Sequence, residues 1–86
     1  MTNQLFSRSG VRYEVALDIL GAIIAHHSEA LADEREKATP DEAAIAAAQK
    51  AKDELRTIRE ELDPSANGVI ENVITQYGPQ ARNLYQ

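Results

Sequence analysis

Eighty-six residues make one small domain, and a chain of this size buries only about 60% of the surface it exposes unfolded, so a partner or a second copy can add what its core lacks. The hydrophobic fraction of 43% leans on alanine, aromatics are only 5% and tryptophan is absent, which makes the core aliphatic and thin. Nine basic against fourteen acidic residues give a net charge of −5, opposing non-specific attraction to nucleic acid, and the lack of cysteine excludes disulfides, thiolate metal sites and thiol chemistry while suiting a reducing cytoplasmic setting.

Residues 1–8 form a short lead with one apolar pair, Leu5-Phe6, tucked against the rest. Ser9 is placed to cap a first helix over about residues 10–37. Its most apolar run, Val15 to Ala25, is interrupted by Asp18 and falls short of the roughly 20 residues a bilayer requires. The reading is a single helical domain over 1–86 with neither a membrane segment nor a signal peptide.

A second helix begins at Thr39-Pro40-Asp41-Glu42. Thr39 is expected to cap it, Pro40 to take the first helical position where its missing N–H costs nothing, and Glu42 to close a capping box. The helix runs over about residues 40–62 and ends before Asp63-Pro64, since proline and the residue ahead of it resist helical geometry.

These two helices carry mirrored heptad stripes. Tyr13, Leu17, Leu20, Ile24, His27 and Leu31 step by alternating fours and threes, as do Ala44, Ala48, Ala51, Leu55, Ile58 and Leu62, and the facing positions sum to 75. Folded back on each other they face stripe to stripe, Tyr13 with Leu62 and Leu31 with Ala44. The spacing therefore predicts an all-α fold built on an antiparallel helical hairpin.

A shorter third helix over about residues 66–77 carries Val69, Ile70, Val73, Ile74 and Tyr77, with Gly78 and Pro79 as its stop and 79–86 as a partly ordered tail. The first helix has a second apolar face, Val15, Ile19, Ala22 and Ile23, that its hairpin partner leaves bare. The third helix covers part of it and a second copy of the chain covers the rest, giving a three-helix or a dimeric bundle.

Little in the chain points to chemistry. There is no Gly-rich phosphate loop, no Ser-centred elbow and no Glu-x-x-His pair. Adjacent His26 and His27 point about 100° apart on a helix and cannot both hold one ion, so packing outweighs a metal role for His27, opposite Ala48. No catalytic residue, cofactor or metal is expected.

Contact surfaces are better represented. The hairpin tip carries Asp33, Glu34, Glu36, Asp41 and Glu42, which fit a basic partner or an imitation of nucleic-acid phosphates; the plainer account is that acids favour the start of the second helix and keep the tip soluble. Leu84 and Tyr85 can anchor a partner near the C-terminus. Lys52, Arg56 and Arg59 align as a basic ridge, which Arg56 and Glu60 at i,i+4 spacing are expected to neutralise. Gly21, one turn before Ala25, suggests the close approach of another backbone.

The function expected from this is a small acidic non-enzymatic protein acting by protein–protein contact, as a regulator, inhibitor or adaptor, and as a homodimer. The rival is a nucleic-acid-related regulator, either an antitoxin-like DNA binder using the basic ridge or an acidic mimic that occupies a nucleic-acid-binding partner.

Overall fold

The computed structural model describes residues 8–84. It contains three helices and, among the described residues, no strand: α1 (Arg8–Arg35), α2 (Glu42–Glu61) and α3 (Asn67–Leu84). α1 packs against both others, while the backbones of α2 and α3 stay more than 8 Å apart. One continuous core joins Ala16, Leu20 and Ile23 of α1 to Leu55 of α2, Leu62 just beyond it, and Ile70, Val73 and Ala81 of α3.

The hairpin register is the one the mirrored stripes predict. Arg59 Nε donates to the Leu17 carbonyl at 3.3 Å, one residue from the Ile58 expected opposite Leu17, and at the tip Asp41 N–H donates to Glu34 Oε1 at 2.8 Å. Leu20 is fully buried and Leu55 is 6% exposed at the middle of this seam. Towards the tip the α2 stripe shrinks to Ala44 and Ala48; Ala48 is half-buried but Ala44, expected opposite Leu31, is exposed, and there α2 is held more by alanine's helix propensity than by burial.

α1 already includes Arg8 and Ser9, so Ser9 lies exposed within the helix and does not cap it; the Leu5-Phe6 lead lies outside the described residues. The helix ends at Arg35, where Glu36 N–H bonds both Ala32 and Asp33 carbonyls at 3.2 and 3.3 Å and the chain tightens into its turn.

The cap of α2 is Asp41, not Thr39. Its extended backbone (φ −84°, ψ 104°) lets its carboxylate accept from Ala43 and Ala44 N–H at 3.0 and 3.2 Å. Aspartate caps at least as well as threonine, and starting α2 at Glu42 leaves the Asp41 N–H free to be taken by Glu34 across the loop.

After α2, Leu62 and Asp63 are non-helical. The Asp63 carboxylate accepts from both Ser65 N–H and Ser65 Oγ, at 2.8 and 2.7 Å, and so fixes the turn. The Ser65 N–H, and then its hydroxyl, hold the Asp63 carboxyl below its ordinary range.

The largest departure from expectation is α3, which runs through Gly78 and Pro79 to Leu84 and has 18 residues. A proline ring crowds the Cβ of the residue before it, and Gly78 has none. No glycine among the described residues takes a positive φ, so Gly78 continues the helix where a left-handed stop was expected. Burial of Ala81, 8% exposed, and part burial of Leu84 favour the extra turns.

α3 lies parallel to α1 in a simple register. Arg12 pairs with Glu71, and Gly78 faces Ile19, both pairs 59 positions apart. Carried on, this offset places Leu84 level with Ala25, where the apolar second face of α1 gives way to exposed His26, Glu29, Ala30 and Asp33. α1 therefore outruns α3 by about ten residues, or roughly 15 Å at 1.5 Å per residue. The hairpin projects as a two-helix arm from a three-helix base, within overall extents of 59 × 26 × 19 Å. Among the described residues, α1 alone is long and apolar enough to cross a membrane; here its apolar faces lie against α2 and α3, and exposed Glu14 and Asp18 ride the remaining side.

Candidate interaction surfaces

The second face of α1 is occupied within the chain. Ile23 is 3% exposed, and Val15, Ile19 and Ala22 are half-buried, the three together with Ile74, Gly78 and Ala81 of α3 lining an open furrow edged by Asp18 and Arg82. The expectation of a second copy took a third helix of about 12 residues, and α3 has 18.

The acidic tip divides into structural and free groups. Glu34 accepts from Asp41 N–H and from Lys37 Nζ, the latter at 2.6 Å, and its side chain is only 15% exposed. Lys37 first, then the Asp41 amide, holds the Glu34 carboxyl below the usual carboxylate range. Asp41 is the helix cap. Both are thus committed to closing the hairpin, whereas Asp33, Glu36 and Glu42 are exposed with no ion pair among the described residues. Leu84 is half-buried against the core, and Tyr85 lies outside the described residues.

His27 is half-buried, as is Ala48 across the seam, and His26 is exposed; their rings meet edge-on with centroids 5.9 Å apart. Among the described residues no three His, Asp or Glu side chains converge as metal ligands.

On the basic ridge, Lys52 is half-buried and Arg56 and Arg59 are exposed. The expected Arg56–Glu60 ion pair is not formed; among the described residues only Arg12–Glu71 and Glu34–Lys37 are ion-paired. Arg59 and Arg56 border a shallow depression with Gly21, Ile24 and Glu60. The neighbour of Gly21 is a side chain and not a backbone, since a Cβ there would meet Arg59 Nε at 3.8 Å, an ordinary contact.

The strongest polar contact was not foreseen. Arg12 and Glu71 tie the N-terminal ends of α1 and α3 through two hydrogen bonds, which hold the Glu71 carboxyl low and raise the Arg12 guanidinium. Neither residue belongs to an apolar period, and no local spacing links positions so far apart. Set against protein families, curated proteins and solved structures, the chain matches none.

Proposed function

We propose that this protein works without catalysis, by binding another protein in a regulatory, inhibitory or adaptor role. The observation that supports this reading is the two-helix arm. Beyond the end of α3, the hairpin projects with one side covered by no other element among the described residues, bearing exposed Ala30 and Ala47 among exposed Glu29, Asp33, Glu36 and Glu42. Small side chains let a partner helix approach closely, and the surrounding acids select partners of positive potential and speed their encounter. Self-association through Val15, Ile19 and Ala22 is the other contact open to the chain, and it has to share side chains with α3.

A photo-crosslinker at Ala30 or Ala47 of the full chain tests the reading in the cell that makes it. One discrete adduct, lost when Asp33, Glu36 and Glu42 are changed to lysine in a variant that still folds, is the expected result. Adducts formed from Val69 or Gln76 on α3 but from neither arm site would overturn it.

A further inference from the structure

The basic ridge on α2 is the largest group of cations that the fold leaves unanswered. Lys52, Arg56 and Arg59 occupy one flank across two helical turns with no ion pair among the described residues. The α1 residues beside Arg56 and Arg59, Gly21 and Ile24, are uncharged. Arg59 is held in place: its Nε bonds the Leu17 carbonyl at 3.3 Å, which braces the guanidinium across the seam, and neither of its terminal nitrogens is in an ion pair among the described residues. Arg59 and Arg56 line a shallow depression together with Gly21, Ile24 and Glu60.

We propose that this ridge docks an acidic segment of a partner protein, with carboxylates on Arg56, Arg59 and Lys52 and a small apolar side chain on Gly21 and Ile24. The proposal deepens the reading that the protein works by binding another protein, and places a second contact on the base side of the arm. Guanidinium groups suit carboxylates because their planar fork matches both oxygens. A duplex nucleic acid fits less well: it presents a charge about every 1.7 Å and would pass over Asp53, Glu60 and Glu61 of the same helix, all exposed, on a chain of net charge −5. A short acidic segment meets the cations and adjoins only Glu60 of those acids, since Asp53 and Glu61 do not line the depression.

The experiment is a titration of the isotope-labelled full chain with a short polyglutamate peptide carrying interspersed alanines, read by amide chemical shifts, with a single-stranded and a duplex oligonucleotide in parallel. Saturable shifts confined to Gly21, Ile24, Lys52, Arg56 and Arg59, weakening as salt rises, are expected. Lys52→Glu with Arg56→Glu should weaken peptide binding about tenfold or more, and Glu60→Gln should strengthen it. The matching reversal at Lys50 and Arg35, off the ridge, controls for net charge and should change binding much less. Arg59 is left intact because it touches α1, and unchanged melting of each variant separates lost binding from lost folding. Shifts spread over all cations alike, equal loss in the control variant, or tighter binding of either oligonucleotide than of the peptide would overturn the proposal. Because this titration does not involve the arm, its failure leaves the crosslinking result at Ala30 and Ala47 intact, and the reverse holds too.

Discussion

Arg12 and Glu71, 59 residues apart in the chain, grip each other through two hydrogen bonds, Nε to Oε2 at 2.8 Å and Nη2 to Oε1 at 2.6 Å. The pair marks the register in which α3 lies along α1, and it joins the two ends where the chain enters α1 and α3. Its position makes the fold sensitive to acid. The Glu71, Glu34 and Asp63 carboxyls are all held below their ordinary values by donors present only in the folded chain, Arg12, Lys37 and Ser65 respectively. The folded protein therefore binds fewer protons than the unfolded one in that range, so the stability these groups add is fully present above about pH 5 and is lost as the pH falls through and below about 4. Thermal melts from neutral to acidic pH should show a plateau and then a decline. Glu71→Gln should lower the neutral melting temperature and flatten the acid slope, and exchanging the partners as Arg12→Glu with Glu71→Arg should restore part of the loss. An acid slope unchanged in Glu71→Gln would remove this pair from the account.

The seam between α1 and α2 makes a sharper demand. Leu20 is fully buried and Leu55 is 6% exposed, so truncating either to alanine should cost about 2–5 kcal/mol through lost burial and an unfilled space. Val69 is 52% exposed, and Val69→Ala should stay within about 0.5 kcal/mol. Denaturant melts that ranked the three alike would place the core elsewhere.

Two candidates for the cap of α2 differ by two residues. Asp41→Ala removes the acceptor of the Ala43 and Ala44 amides and should cost about 1 kcal/mol. Thr39→Ala removes no hydrogen bond formed among the described residues and should be nearly neutral. The opposite order, measured by chemical denaturation, would return the start of the helix to Thr39.

Glycine and proline inside helices are the simplest places to gain stability. A Cβ at Gly21 would meet Arg59 Nε at 3.8 Å, with no strain, so Gly21→Ala should stabilise by about 0.5–1 kcal/mol. At Gly78 the space is similar, 3.8 Å to Ile19 Cδ1, but an alanine there would sit before Pro79 and meet the proline ring, so its gain should be smaller. Pro79→Ala restores an amide donor to the middle of α3 and should stabilise the helix by up to about 3 kcal/mol. If Pro79→Ala destabilised the chain, the proline ring itself would be needed to seat Ala81 and Leu84.

How far the sequence discloses this fold follows from what is periodic in it. The stripes of α1 and α2 are long, regular and mirrored, so the hairpin and its register are legible to within a residue, from Leu17 beside Arg59 to Glu34 beside Asp41. The end of α3 is not, because Gly78-Pro79 is a local stop signal that tertiary burial of Ala81 overrides. The Thr39 cap fails for a related reason: Glu34, distant in pattern but near in space, claims the Asp41 amide. Exposed ion pairs are the least legible: Arg12 finds Glu71 because of where whole helices lie, and the i,i+4 spacing of Arg56 and Glu60 yields no pair.

That α1 alone touches both other helices gives the molecule a hierarchy of opening. The hairpin closes through a six-residue connection and local contacts, whereas α3 must find α1 across a sequence separation near sixty. During synthesis the hairpin is complete before α3 is made, and afterwards α3 can lift away without parting α1 from α2. Amide hydrogens should then exchange in steps, fastest along α3 and slowest around Leu20. Each lifting would bare Ala16, Val15 and Ile19 together and turn a covered face into an adhesive one for as long as α3 is away.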